Sequence, residues 1–165
     1  MIKIPNNIIV LQDCWQDPVY HIKQNEAYSE SVHEWTYIER QHRQFYTWLS
    51  KELERLRPQH YDIVHNSKNT ETSELLSNYE HIGEDQYNIL SEYNHIYIAG
   101  CHLNRCVENY AQNLQELGLK PSVILNWCLA FPNDNIQLLQ KVNYSWCNVP
   151  NAPHTIKKAN KLWLG

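Results

Sequence analysis

His95-Ile96-Tyr97-Ile98-Ala99-Gly100-Cys101-His102-Leu103-Asn104-Arg105-Cys106-Val107 is the stretch on which the fold turns. Its first half is a short apolar run rich in β-branched and aromatic side chains, the pattern of a buried strand. The run turns at Gly100 and passes into residues 104–117, where Val107, Tyr110, Ala111, Leu114 and Leu117 recur at helical spacing on one face. Gly118 then supplies the residue type that takes a left-handed helix stop at least cost. Strand, tight turn and helix together form the unit that presents chemistry at the carboxyl ends of strands in open α/β sheets.

Cys106 falls in the first turn of that helix. Unpaired backbone N–H groups and the positive end of the helix dipole favour a thiolate there. The same N–H groups can stabilise an oxyanion once a thiolate has attacked a carbonyl. Cys106 is therefore the best candidate nucleophile in the chain. Its plainer reading is a small buried packing residue, as most unpaired cysteines are.

Working outward, residues 7–11 form a near-continuous apolar run, the signature of a strand covered on both faces. Asp13 follows directly, at the carboxyl end of a first, central strand, where an α/β fold places a catalytic carboxylate. Its commoner use is as a turn or cap residue. Asp17-Pro18 reads as a turn, and residues 19–32 as a loop able to cover a site. Trp35, Ile38, Phe45, Leu49, Leu53 and Leu56 mark a long amphipathic helix that begins near Ser31 or His33 and stops before Pro58. The charged residues between them read as its solvated face. Tyr61–His65 is a second strand, which completes a right-handed parallel crossover.

Beyond it, residues 79–82 suggest a very short third strand and residues 86–93 a helical turn or two. Residues 121–127 form another strand, 135–142 a short helix, 143–149 a last strand and 150–165 a tail. The alternation specifies a single domain: a three-layer α/β/α sandwich on a mostly parallel, Rossmann-like sheet.

A chain of 165 residues buries a core of useful size without staples. A net charge of −4 leaves no basic footprint, so no nucleic-acid partner is expected. No apolar run reaches the length that spans a membrane, and no membrane partner is expected either. Five cysteines lack a CxxC pair or a regular framework and, with no signal peptide in view, read as thiols of a reducing cytoplasm. Six Trp and eleven Tyr against two Phe supply amphipathic rings suited to pockets and interfaces.

Asp13-Cys14-Trp15-Gln16-Asp17 at the end of the first strand, and Gly100 through Cys106-Val107 with Ala111 in the helix beyond, resemble the isochorismatase-like cysteine hydrolases, a family that includes nicotinamidases. The resemblance spreads over most of residues 7–149, and its specific part is 100–118. It implies that Asp13 takes the thiol proton from Cys106 and later gives it to the leaving group, and that N–H groups around Cys106 form an oxyanion hole. It implies a small amide, carbamoyl or ester-like substrate, with Trp15, Asp17, Tyr20, His102 and Leu103 in the binding pocket. It also implies a homo-oligomer.

The chain departs from the family pattern at three places. The family's third strand carries a lysine, whereas Glu80, His81, Ile82 and Gly83 do not; Lys68 and His81 are the available substitutes. The family's cis-peptide turn carries a small residue and threonine, whereas this chain has His102-Leu103, which narrows the pocket. Nicotinamidase-like members hold a metal through an Asp-x-His…His set after the second strand. Asp62 and His65 do not match that spacing, and none of the nine histidines forms a ligand-spaced pair on one helix face. The expectation is no metal and no cofactor. Two functional readings follow: a hydrolase working through Cys106, or a family member that binds a nucleotide-like or nicotinamide-like molecule without turnover.

Overall fold

A computed structural model describes residues 7–12, 35–56, 61–66, 79–83, 86–129 and 143–145. Six strands form one sheet: β1 (Asn7–Gln12), β2 (Tyr61–His65), β3 (Glu80–His81), β4 (His95–Cys101), β5 (Pro121–Leu129) and β6 (Asn143–Ser145). Their spatial order is β3-β2-β1-β4-β5-β6, and each neighbouring pair is parallel. The described helices are α1 (Trp35–Leu56), α2 (Tyr87–Leu90) and α3 (Glu108–Glu116), the last entered through a π-helical turn at Leu103–Val107. This is the α/β, Rossmann-like architecture that the alternation of patterns specifies.

The sheet is central because its middle strands are apolar on both faces. Along β1, Ile9 and Leu11 point to one side and Ile8 and Val10 to the other, and all four are buried. The first side packs against Phe45, Leu49 and Leu53 of α1, together with Ile63, Ala99, Cys101, Ile124, Trp127 and Leu129. The second packs against Val107, Tyr110, Ala111 and Leu114 of the turn and α3, with Leu90 of α2. Each of these fully buried aliphatic side chains is worth about 1.5–3 kcal/mol over its exposed state. The two clusters are the two cores of a three-layer sandwich.

Element boundaries differ from the sequence pattern in instructive places. β5 continues to Leu129 rather than stopping at Trp127. Its register against β4 jumps from Ile98↔Val123 to Gly100↔Cys128, an irregularity that the alternation of apolar residues does not announce. The helix after β4 does not start as an ordinary α-helix: the Val107 N–H reaches back to the His102 carbonyl at 3.2 Å, and the Arg105 N–H donates to the same oxygen at 3.0 Å. Its far end closes as expected. Gly118 adopts φ +84, its N–H donates to Gln115 and the Leu119 N–H to Leu114, the paired bonds of a Schellman stop. The loop proposed over residues 19–32, the helix over 135–142 and the tail over 150–165 lie outside the described residues.

β1 and β4 are the sheet's adjoining central strands, and the chain reverses its direction of growth between them. From β1 it builds outward to β2 and β3, then returns to the other side of β1 to lay down β4, β5 and β6. A sheet of this order opens a crevice at that switch point, outside the carboxyl ends of the two strands. Gly100 closes the junction: it pairs with Gln12, has φ +114, and a β-carbon on it would be driven into the Gln12 backbone. Gly100→Ala should therefore cost about 1–3 kcal/mol from the backbone conformation alone, before the steric clash. Thermal unfolding checks this; the melting midpoint should fall by roughly 5 °C or more, at about 2–4 °C per kcal/mol for a domain of this size.

Candidate functional site at the carboxyl ends of β1 and β4

Two chain segments leave the sheet at the switch point. Residue 13 follows Gln12, the last residue of β1, which is itself buried beside Gly100. From β4 the chain passes through Cys101 and a cis peptide bond into His102. The π-helical turn then carries Cys106 at its fourth residue. Turns of this kind recur at functional sites, because the extra residue aims a side chain that a regular helix would point elsewhere.

Cys106 is partly exposed, whereas Cys101 and Cys128 are buried; none of these three forms a disulfide. It stands next to Arg105, also partly exposed. A partly exposed thiol on the first turn of a helix has surroundings that favour a thiolate. Asp13, Trp15, Asp17 and Tyr20 lie outside the described residues, as does Lys68. Their expected roles rest on where the described chain stops and resumes.

His102 and Leu103 are both inside. Leu103 is 2 % exposed and packs in the core on the α3 side. His102 turns to the other side, where its Nε2 lies 2.9 Å from Nε2 of His42 on α1. One imidazole donates and the other accepts, so the accepting ring is neutral. Burial, then the nearness of His42 and Arg105, push the His102 imidazole well below its ordinary value. Cys101 Sγ sits 4.0 Å from the Tyr46 hydroxyl on the same helix.

His42 is the residue that sequence reasoning missed. It stands between Ile38 and Phe45 of the long helix, outside the apolar set that marks it, and it is fully buried. The signal was present: position 42 continues the 3-and-4 spacing of Phe45, Leu49 and Leu53 toward the amino end of α1. A histidine in an apolar stripe requires a polar partner, and His102 provides it. Arg40, Arg43, Lys51, Glu54 and Arg55 are exposed, as the solvated-face reading has it.

The third strand brings no lysine: β3 is Glu80–His81, and Ile82 beyond it is buried. His81 closes β3 in register with His65, which closes β2, and their rings meet edge to face with centroids 5.2 Å apart. No family model, curated protein or solved structure matches this chain. Among the described residues no helix is long and apolar enough to cross a membrane.

The histidine pair at β2 and β3 has a measurable consequence. Burial, then the nearness of His81, hold the His65 imidazole below 6.5. A base whose folded value is depressed binds fewer protons folded than unfolded. The stability it contributes is present above about pH 6.5 and is lost as pH falls toward the lowered value, by at most about 1.4 kcal/mol per pH unit. In a proton NMR titration the His65 ring should titrate below 6.5. His81→Ala should raise that midpoint part of the way, with burial still acting. A His65 midpoint at or above the ordinary value contradicts this electrostatic picture.

Proposed function

We propose that the protein is a cysteine hydrolase acting on a small amide, carbamoyl or ester-like substrate, with Cys106 as nucleophile and Asp13 as general base. The observation that supports this reading best is the register of β1 against β4. Gln12 pairs with Gly100, so the residue after β1 and the turn after β4 leave the sheet side by side at its switch point.

In this reading Asp13 accepts the Cys106 thiol proton and the sulfur attacks the substrate carbonyl carbon. The carbonyl π bond opens, and the oxygen becomes an anion facing N–H groups of the first helical turn. Collapse of the tetrahedral adduct expels the amine or alcohol, which carries away the proton from Asp13. Water then attacks the thioester, Asp13 removes its proton, and the acid is released with the thiol restored. The fixed cation that the family resemblance requires is sought in His81 at the end of β3 or in Lys68. Trp15, Asp17 and Tyr20 complete the pocket, with His102 and Leu103 packed beneath it. The same reading makes the chain a cytoplasmic homo-oligomer with a small-molecule partner.

A second reading, a binder without turnover, is favoured by the ends of β2 and β3, where the His65–His81 pair stands in place of a permanent charge. Alkylation separates the two. Cys101 and Cys128 are buried, so slow reaction at those sites says nothing about activation. The decisive quantity is the pH midpoint of Cys106 alkylation. It should lie clearly below the ordinary thiol value of about 8.5, and Asp13→Asn should cut turnover of a cognate amide by roughly 100- to 10,000-fold. An ordinary midpoint, with ligand binding intact in Cys106→Ser and no hydrolysis by the wild type, would leave the binder.

A further inference from the structure

Three metal-ligating side chains converge behind the turn that carries Cys106. His42 comes from the buried face of α1, Cys101 is the last residue of β4, and His102 follows it. All three are buried, and their ligand atoms lie within 4.8 Å of one another. The two imidazole Nε2 atoms face each other at 2.9 Å. We propose that His42, Cys101 and His102 form a site for a borderline-soft transition-metal ion, with Zn²⁺ the best match.

The donor set selects the ion. Two imidazole nitrogens and a sulfur contain no carboxylate or carbonyl oxygen, so the set suits zinc and its neighbours and not magnesium or calcium. Zinc–nitrogen bonds of about 2.0–2.1 Å and a zinc–sulfur bond of about 2.3 Å at tetrahedral angles place the nitrogens roughly 3.3 Å apart and sulfur roughly 3.5 Å from each. On loading, the imidazole separation opens by about 0.4 Å and the sulfur, now within 4.8 Å of the nitrogens, closes to roughly 3.5 Å through side-chain rotation. Both rings enter as neutral ligands. The Cys101 thiol gives up its proton to solvent as the sulfur–metal bond forms, so uptake weakens at low pH. The fourth position falls to the Tyr46 hydroxyl, which already lies near Cys101 Sγ.

The surroundings suit a structural ion. Phe45 and Trp127 belong to the apolar cluster that includes Cys101, which keeps water from competing for the ligands. The three ligands tie α1 to the end of β4, immediately before the turn that positions Cys106. The ion would thus pin the helix layer to the strand end that builds the candidate site. This inference stands whether or not Cys106 turns over a substrate.

The test uses the full chain, stripped with a chelator and then loaded with Zn²⁺ or Co²⁺. Elemental analysis after gel filtration should give about one zinc per chain, and zinc should raise the melting midpoint. The cobalt form should show a thiolate-to-metal charge-transfer band together with the strong visible bands of a tetrahedral site. Cys101→Ser should abolish the charge-transfer band and weaken binding roughly a hundredfold or more, while Cys128→Ser, on the opposite face of the sheet, should keep both. Failure of the wild-type chain to retain metal, a cobalt spectrum without the thiolate band, or a band that survives in Cys101→Ser overturns the proposal. The wild-type cobalt spectrum decides the matter even where a variant does not fold.

Discussion

The parallel pairing of β1 with β4 is the constraint on which the rest of the structure depends. It brings together two strands whose sequences are apolar on both faces, so both must be covered, and α1 and α3 are recruited to opposite sides. It also makes the junction between them the place where the sheet changes its direction of growth. Gly100 allows the pairing to run to the very end of β1, because a β-carbon there would collide with the Gln12 backbone. A crevice at the carboxyl ends of β1 and β4 follows from the order of strands, before any side chain is considered.

The side chains around that junction fall into two layers. Above it the turn after β4 carries the partly exposed Cys106, in a helical turn that starts with an irregular bond pattern. Beneath it, on the α1 side, lies a buried cluster of His42, Cys101 and His102, with the partly buried Tyr46 beside it. The second layer holds the backbone from which the first is presented. The placement of Cys106 therefore depends on how firmly α1 is tied to the end of β4.

Most of the fold was legible in the sequence because it rests on periodicity. Tyr61–His65 was read with its observed bounds. β1 and the long helix were found from an apolar run and a 3-and-4 repeat, and Gly118 from the chemistry of helix stops. What escaped were features that depend on partners distant in sequence. The irregular register between β4 and β5 leaves no local trace in a run that is apolar throughout. The histidine pair joins positions 60 residues apart, so a search for ligands spaced along one helix could not find it. His42 was legible by position alone, because it continues the 3-and-4 spacing of Phe45, Leu49 and Leu53.

The central claim is that an acidic side chain leaving β1 meets a sulfur presented after β4. A crystal structure of the protein measures it most directly, through the distance between the Asp13 carboxylate and Cys106 Sγ. The account expects the two within roughly 3–4 Å, the loose hydrogen-bonding range of a nucleophile and its base in an unliganded enzyme. An Asp13 side chain turned away into a cap or a surface turn, with its carboxylate beyond about 8 Å from the sulfur, would contradict it.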